Sequence, residues 1–195
     1  MGRVTSALGM VLSFGCIATS ARADDFQSCV GAMGAPHGTV ETCDRAIASG
    51  LKDVLLIQAL DARGQEKLAV KNYAGAMADF DAALGVESRY RAMLTDPLDR
   101  SFSLRLRASA LTNRGRAHVL QGNVEAAVKD YGEAIEVNSS PVVEYFFRAM
   151  LLARIGRNEE AIADLRKFIA AEDFGIYAEE KAKAANTLKS LGAVP

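Results

Sequence analysis

The sequence predicts an all-α chain: an α-helical solenoid of about three stacked hairpins, preceded by a half-repeat and closed by a capping helix. Three observations carry that expectation. A gapless pattern occurs three times, its small and apolar residues fall at helical spacing, and two of its copies lie 34 residues apart, measured from Gly115 to Ala149. The copies read Leu60-x-x-Arg63-Gly64 with Ala76, Asp79, Phe80 and Ala83; Leu111-x-x-Arg114-Gly115 with Ala127, Asp130, Tyr131 and Ala134; and Tyr145-x-x-Arg148-Ala149 with Ala161, Asp164, Leu165 and Phe168. Composition agrees: 195 residues, 50% apolar and 24% charged, with a net charge of −1, suffice for a sizeable core. The same numbers exclude a disordered or collagenous chain, and the absence of a basic excess argues against a nucleic-acid binder.

Residues 1–23 read as a secretory signal peptide. Arg3 gives a positive start, Ala7 to Ala18 form a short apolar run, and Ala21-Arg22-Ala23 places small residues where a signal peptidase reads, so cleavage is expected after Ala23. A membrane anchor would need about 20 apolar residues, and this run meets Arg22, Asp24 and Asp25 too soon. Export to the periplasm or beyond follows as an expectation. Losing Arg3 and Arg22 leaves 21 basic against 24 acidic side chains, a balance of −3.

Residues 24–50 form the expected half-repeat. Cys16 leaves with the signal, and the remaining even pair, Cys29 and Cys43, reads as a disulfide in an oxidising compartment. Closing such a loop stabilises by about 3 kcal/mol in the chain-entropy model. A metal site on the cysteines with His37, Glu41 and Asp44 fails on ligand count and spacing. Thr39 to Ile47 looks like a second helix whose partner is a stub bearing Cys29.

Residues 51–173 hold the repeats. Leu60, Leu111 and Tyr145 point inward, and Gly64, Gly115 and Ala149 lie four residues on, where they let the second helix approach through Ala76, Ala127 and Ala161. Phe80, Tyr131 and Leu165 are expected to fill the space between neighbouring hairpins. Asn72, Asn123 and Asn158 are expected to cap the second helices. An Arg in each first helix (Arg63, Arg114, Arg148) and an Asp in each second (Asp79, Asp130, Asp164) predict an ion pair that serves the stack.

Gly64 and Gly115 are 51 residues apart, 17 more than one period. The excess falls near 88–107, where Ala83, Val86, Tyr90 and Leu94 continue a helical face and Asp96-Pro97 offers a cap. Two lengthened helices forming a projecting hairpin are expected, with a separate short helix as the alternative. From Ser88 to Arg116 seven arginines face two acids, a local balance of +5. Residues 174–195 then supply the capping helix, with Ala182, Ala185, Leu188 and Leu191 on its inner side.

The period, the hairpin pattern and the residues quoted resemble the tetratricopeptide repeat family over about residues 53–173. Departures are the absence of Trp, the presence of Lys67, His118 and Leu152 where the pattern usually has Tyr, and Ser88 and Ser139 at the terminal Pro. The resemblance implies a non-enzymatic scaffold that binds a protein or peptide along the concave wall of its first helices. That wall would present Gln58, Asp61, Gln65, Thr112, Asn113, Arg116, Phe146 and Met150. The carboxylate clamp of some relatives is not reproduced, since Asp61 and Gln65 stand where it needs Lys and Asn. An anionic-lipid surface acting through Arg89, Arg91, Arg100, Arg105 and Arg107 is the alternative.

Catalytic chemistry has little to build on. There are two histidines, His37 and His118, and no paired metal-ligand spacing, phosphate loop or nucleophile elbow. His118, standing for an aromatic, reads as a packed side chain. No cofactor, metal or nucleic acid is expected.

Overall fold

The computed structural model describes residues 23–31, 38–172 and 175–194. The signal segment through Arg22, and His37, lie outside the described residues. Among those described, the chain is helical throughout, without a strand. Its elements are α1 (residues 23–30), α2 (Val40–Ala48), α3 (Asp53–Ala69), α4 (Tyr73–Met93), α5 (Pro97–Leu120), α6 (Val124–Val137), α7 (Val142–Arg154), α8 (Asn158–Ala170) and α9 (Ala178–Ser190). Helices α3 and α4, α5 and α6, and α7 and α8 form hairpins. Contacts of α4 with α5 and of α6 with α7 stack them, while α2 packs on α3 and α9 on α8.

The turns show why the sequence breaks where it does. Gly122 and Gly156 adopt φ of 79° and 78° in equivalent turns, and Lys71 holds the same place at φ 61°, a left-handed conformation that costs a side-chain-bearing residue about 1 kcal/mol. Asn72 caps α4, its Oδ1 accepting from the Gly75 N–H at 3.0 Å. The other two expected caps differ. Asn123 flanks α6 but its amide donates to Gln121 at 3.3 Å, and α8 is preceded by Arg157, so that Asn158 is already helical. The gapless register itself aligns Arg157, not Asn158, with Asn72 and Asn123.

The close approach inside each hairpin is between a glycine and a ring. A Cβ on Gly64 would lie 2.5 Å from Phe80 Cε1, and one on Gly115 would lie 2.9 Å from Tyr131 Cε1. The aromatic rings therefore sit against the first helix of their own hairpin, rather than only in the seam between hairpins. Phe80, Tyr131 and Leu165 are all buried, and burial holds the Tyr131 phenol above its ordinary range. The seam between the first two full hairpins is filled by Ile57, Leu60, Ala83, Leu84, Leu111 and Ala134.

At the N-terminal end the Cys29–Cys43 disulfide is formed, with a Cα separation of 4.7 Å, and joins the α1 stub to α2. Phe26, Cys29, Cys43 and Ala46 pack on Ala59 and Ala62 of α3, so the staple covers the exposed end of the stack. At the other end Ala184 and Leu188 are the buried residues of α9, with Leu191 half-buried, while Ala182 is exposed. The inner stripe is thus Ala184, Leu188 and Leu191, an i, i+4, i+7 set, rather than one through Ala182.

Helices α4 and α5 run 21 and 24 residues, against 13 or 14 in α6, α7 and α8. Seven extra residues extend a helix by about 10 Å. Asp96 caps α5, accepting from the Leu98 N–H at 2.7 Å, with Pro97 in the first turn. The lengthened pair has its own polar tie in Glu87, fully buried at 0% exposure. Its carboxylate accepts from Ser103 at 2.7 Å, Arg91 at 2.8 Å and Arg107 at 3.4 Å.

Candidate functional site

Two sets of polar residues have to be separated: those that hold the stack together and those left to face a partner. Each repeated Arg and Asp forms a bidentate pair. Arg63 donates to Asp79 at 2.9 and 2.6 Å, Arg114 to Asp130 at 2.8 and 2.6 Å, and Arg148 to Asp164 at 2.7 and 2.8 Å. Hydrogen bonds to these aspartates raise all three arginines above their ordinary range. The first two arginines also reach back to the preceding hairpin, Arg63 to Asp44 at 2.6 Å and Arg114 to Asp81 at 2.8 Å. They are therefore rungs between hairpins as well as ties within them.

The third rung is incomplete. Gly132 occupies the register position of Asp81, and its missing Cβ would lie 3.3 Å from Arg148 Nη1. Gly132→Asp is expected to stabilise the chain by about 1 kcal/mol, combining a better helix former with a partly exposed ion pair. Thermal melts of Gly132→Asp and Gly132→Asn in low and high salt check this: the aspartate variant should gain over asparagine only at low salt.

The residues expected on the wall of first helices divide along its length. Asp61 accepts from Gln65 at 3.2 Å, Ser109 at 3.1 Å and Asn113 at 3.0 Å, and Asn113 in turn accepts from Arg116 at 3.3 Å. Gln58 is half-buried on the same helix as Asp61. These groups connect α3 to α5. Thr112 donates to Glu144 at 3.3 Å, connecting α5 to α7. Phe146 is different: only 6% exposed, it packs with Phe168, Ala184 and Leu188 beneath α9, and Met150 accepts from Thr187 of α9 at 3.8 Å. Covered by the terminal helix, this pair belongs to the core.

The arginines of the long hairpin divide too. Arg91 and Arg107 are held by Glu87, and Arg107 also approaches Glu133 at 3.6 Å. Arg89, Arg100 and Arg105 make no ion pair among the described residues, and Arg105 lies over the Phe102 ring at 5.4 Å. Internal neutralisation thus removes two of the five charges that sequence assigns to an anionic partner. His118 is half-buried, its Nε2 3.8 Å from Asp130 and its Nδ1 without a hydrogen-bond partner.

Besides a cleft of about 500 Å³ between the start of α2 and the end of α3, lined by Thr39, Glu41, Glu66 and Lys67 among others, a row of three clefts runs along α5, the α6–α7 turn and α7. The first, about 390 Å³, is lined by Pro97, Arg100, Leu104, Arg105, Val137 and Ser139, among others. The second, about 320 Å³, shares Arg105 and Asn138 with it and adds Ser109, Thr112, Asn113 and Glu144. The third, about 370 Å³, shares Asn138 and Glu144 with the second and reaches Ile176 and Tyr177. Shared walls make one groove, basic at one end and acidic at the other. Glu87, Ser103, Asn138 and Glu144 are polar residues that sequence reasoning missed.

Among the described residues no group of three His, Cys, Asp or Glu could hold a metal ion, and no helix is long and apolar enough to cross a membrane. The fold and the groove define a class: a helical-hairpin repeat scaffold with an open binding face. The tetratricopeptide repeat family model matches residues 108–141 and 145–173, the second and third hairpins. These two hairpins are tetratricopeptide repeats. Such repeats form non-enzymatic scaffolds that generally mediate protein–protein interactions. A comparison with curated proteins returns no match.

Proposed function

We propose that the protein is an exported, non-enzymatic scaffold that docks an extended peptide segment of a protein partner in the groove along α5, the α6–α7 turn and α7. The observation that carries this is the continuity of the three clefts through Arg105, Asn138 and Glu144. An open trough with polar groups spaced along it suits a chain segment better than a compact small molecule. Export rests on the signal-like segment ending at Ala23 and on the disulfide.

An anionic lipid surface fits less well. The tip exposes Leu98 at 81%, but Asp96 and Asp99 flank that residue and Arg91 and Arg107 are already paired.

The test is photo-crosslinking in intact cells. A benzophenone amino acid at Ser101 or Ser139, both exposed in the groove, should capture a discrete protein. The same probe at Lys129 or Arg166, exposed on second helices, should not. Equal capture at all four positions, or none in the groove, would sink the reading. N-terminal sequencing of the recovered chain should begin at Asp24.

A further inference from the structure

Glu144 is a side chain that packing does not explain. In the register of the hairpins it holds the place of Ala59 and Ala110, both buried, so the stack requires only a small apolar residue there. The third hairpin instead buries a carboxylate at 6% exposure. Its Oε1 accepts two long bonds, from Thr112 and Asn138, each 3.3 Å. Its Oε2 is buried and has no hydrogen-bond partner. A buried acceptor without a donor is costly to maintain, and a charged one more so.

Local helix chemistry accounts for the charge but not for the empty acceptor: a carboxylate in the first turn favours the positive end of α7. Glu144 is the third residue of α7, where a glutamate commonly accepts the N–H of the capping residue. Here the cap is Pro141, which has no N–H to give. The carboxylate forms the shared wall of the second and third clefts, and Glu172 also lines the third. Arg105 lines the second cleft with Glu144 and continues into the first, which Arg100 and Glu136 also line.

We propose that Glu144 receives the cationic side chain, lysine ammonium or arginine guanidinium, of the peptide that lies in this groove. The proposal rests on the peptide-docking reading above and specifies its partner: a basic residue set at the Glu144 wall, with the chain running toward Arg100 and Arg105. When the Glu144 side chain turns to present Oε2, buried in this structure, to the cleft, a donor there completes the empty acceptor with a charge-assisted hydrogen bond. Arginine fits best if both carboxylate oxygens are engaged, lysine if only Oε2 is.

The probes are three capped pentapeptides, acetyl-Gly-Gly-X-Gly-Gly-amide with X as lysine, arginine or norleucine, titrated into the isotope-labelled full chain and followed by amide NMR. Lysine or arginine peptide should shift Asn138, Val143 and Glu144 saturably, and norleucine should not. Glu144→Gln, of equal size, should weaken that binding about tenfold or more. Glu144→Ala reproduces Ala59 and Ala110 and should keep the circular dichroism spectrum and the melting midpoint while losing the shifts. Equal shifts with norleucine, unchanged affinity in Glu144→Gln, or a melting midpoint lowered by Glu144→Ala would overturn the proposal. An ordered water filling the acceptor would appear as no shift with any peptide, which also overturns it. In that case groove crosslinks from Ser101 would still stand, so failure of the basic anchor and failure of the docking reading are separable.

Discussion

Asp79→Ala is expected to destabilise the chain by about 3–5 kcal/mol, the range for removing one partner of a buried ion pair. Asp79 is 3% exposed and accepts from two cations, Arg63 at 2.9 and 2.6 Å and Lys67 at 2.8 Å. Alanine would strand both. Arg63 keeps Asp44, a half-exposed carboxylate on the preceding helix, which recovers part of the loss. Because a repeat stack is a chain of neighbour interactions, the effect should concentrate in α3 and α4 and then spread through their interface with α5. Urea unfolding followed by circular dichroism gives the size, and hydrogen exchange gives the location. Glu160→Ala, which breaks the solvent-exposed pair with Arg157 at 2.6 Å, serves as the control, with a loss well below that at Asp79. A loss at Asp79 no greater than at Glu160 would mean that the repeated Arg and Asp are surface decoration.

Repetition explains why so much of the framework is legible in the sequence. Arg63, Arg114 and Arg148 each sit 16 residues before their aspartate, and a constraint written three times at one offset is readable without coordinates. Glu87 is not readable in that way because it belongs to the inserted turns, which have no second copy to compare. Its clues are local: it lies four residues beyond Ala83 on the buried face and four before Arg91. Glu144 is available in principle, as a carboxylate aligned with two alanines, but such a departure becomes informative only once those alanines are known to be buried. The repeats alone place Phe146 on the open wall. The terminal helix α9 covers that position, and no residue within a repeat encodes the helix that caps the last one. The arginines of the insertion look like a charged patch because sequence counts charges without showing that Glu87 lies beneath two of them.

The second large effect is at Gly64. Gly64→Ala is expected to cost about 1–2 kcal/mol, because overpacking a filled core at the upper end of about 1–3 kcal/mol outweighs the gain of about 1 kcal/mol from alanine as the better helix former. The added methyl would lie 2.5 Å from Cε1, 2.8 Å from Cζ and 3.0 Å from Cδ1 of Phe80. That ring is fully buried among Leu68, Ala76 and Ala117, so it has nowhere to turn. The third hairpin already contains the compensated arrangement, with Ala149 on its first helix and Leu165 on its second, both at 0% exposure. Phe80→Leu alone should cost about 1–2 kcal/mol by leaving a void. Placed in the Gly64→Ala background, the same change should cost far less, since the methyl occupies the space the ring vacates. A double-mutant cycle by chemical denaturation should therefore return a favourable coupling of about 1–2 kcal/mol. Simple additivity would mean that ring and glycine do not share a contact, and the claim that one hairpin template is tiled with interchangeable small-to-large pairs would fail with it.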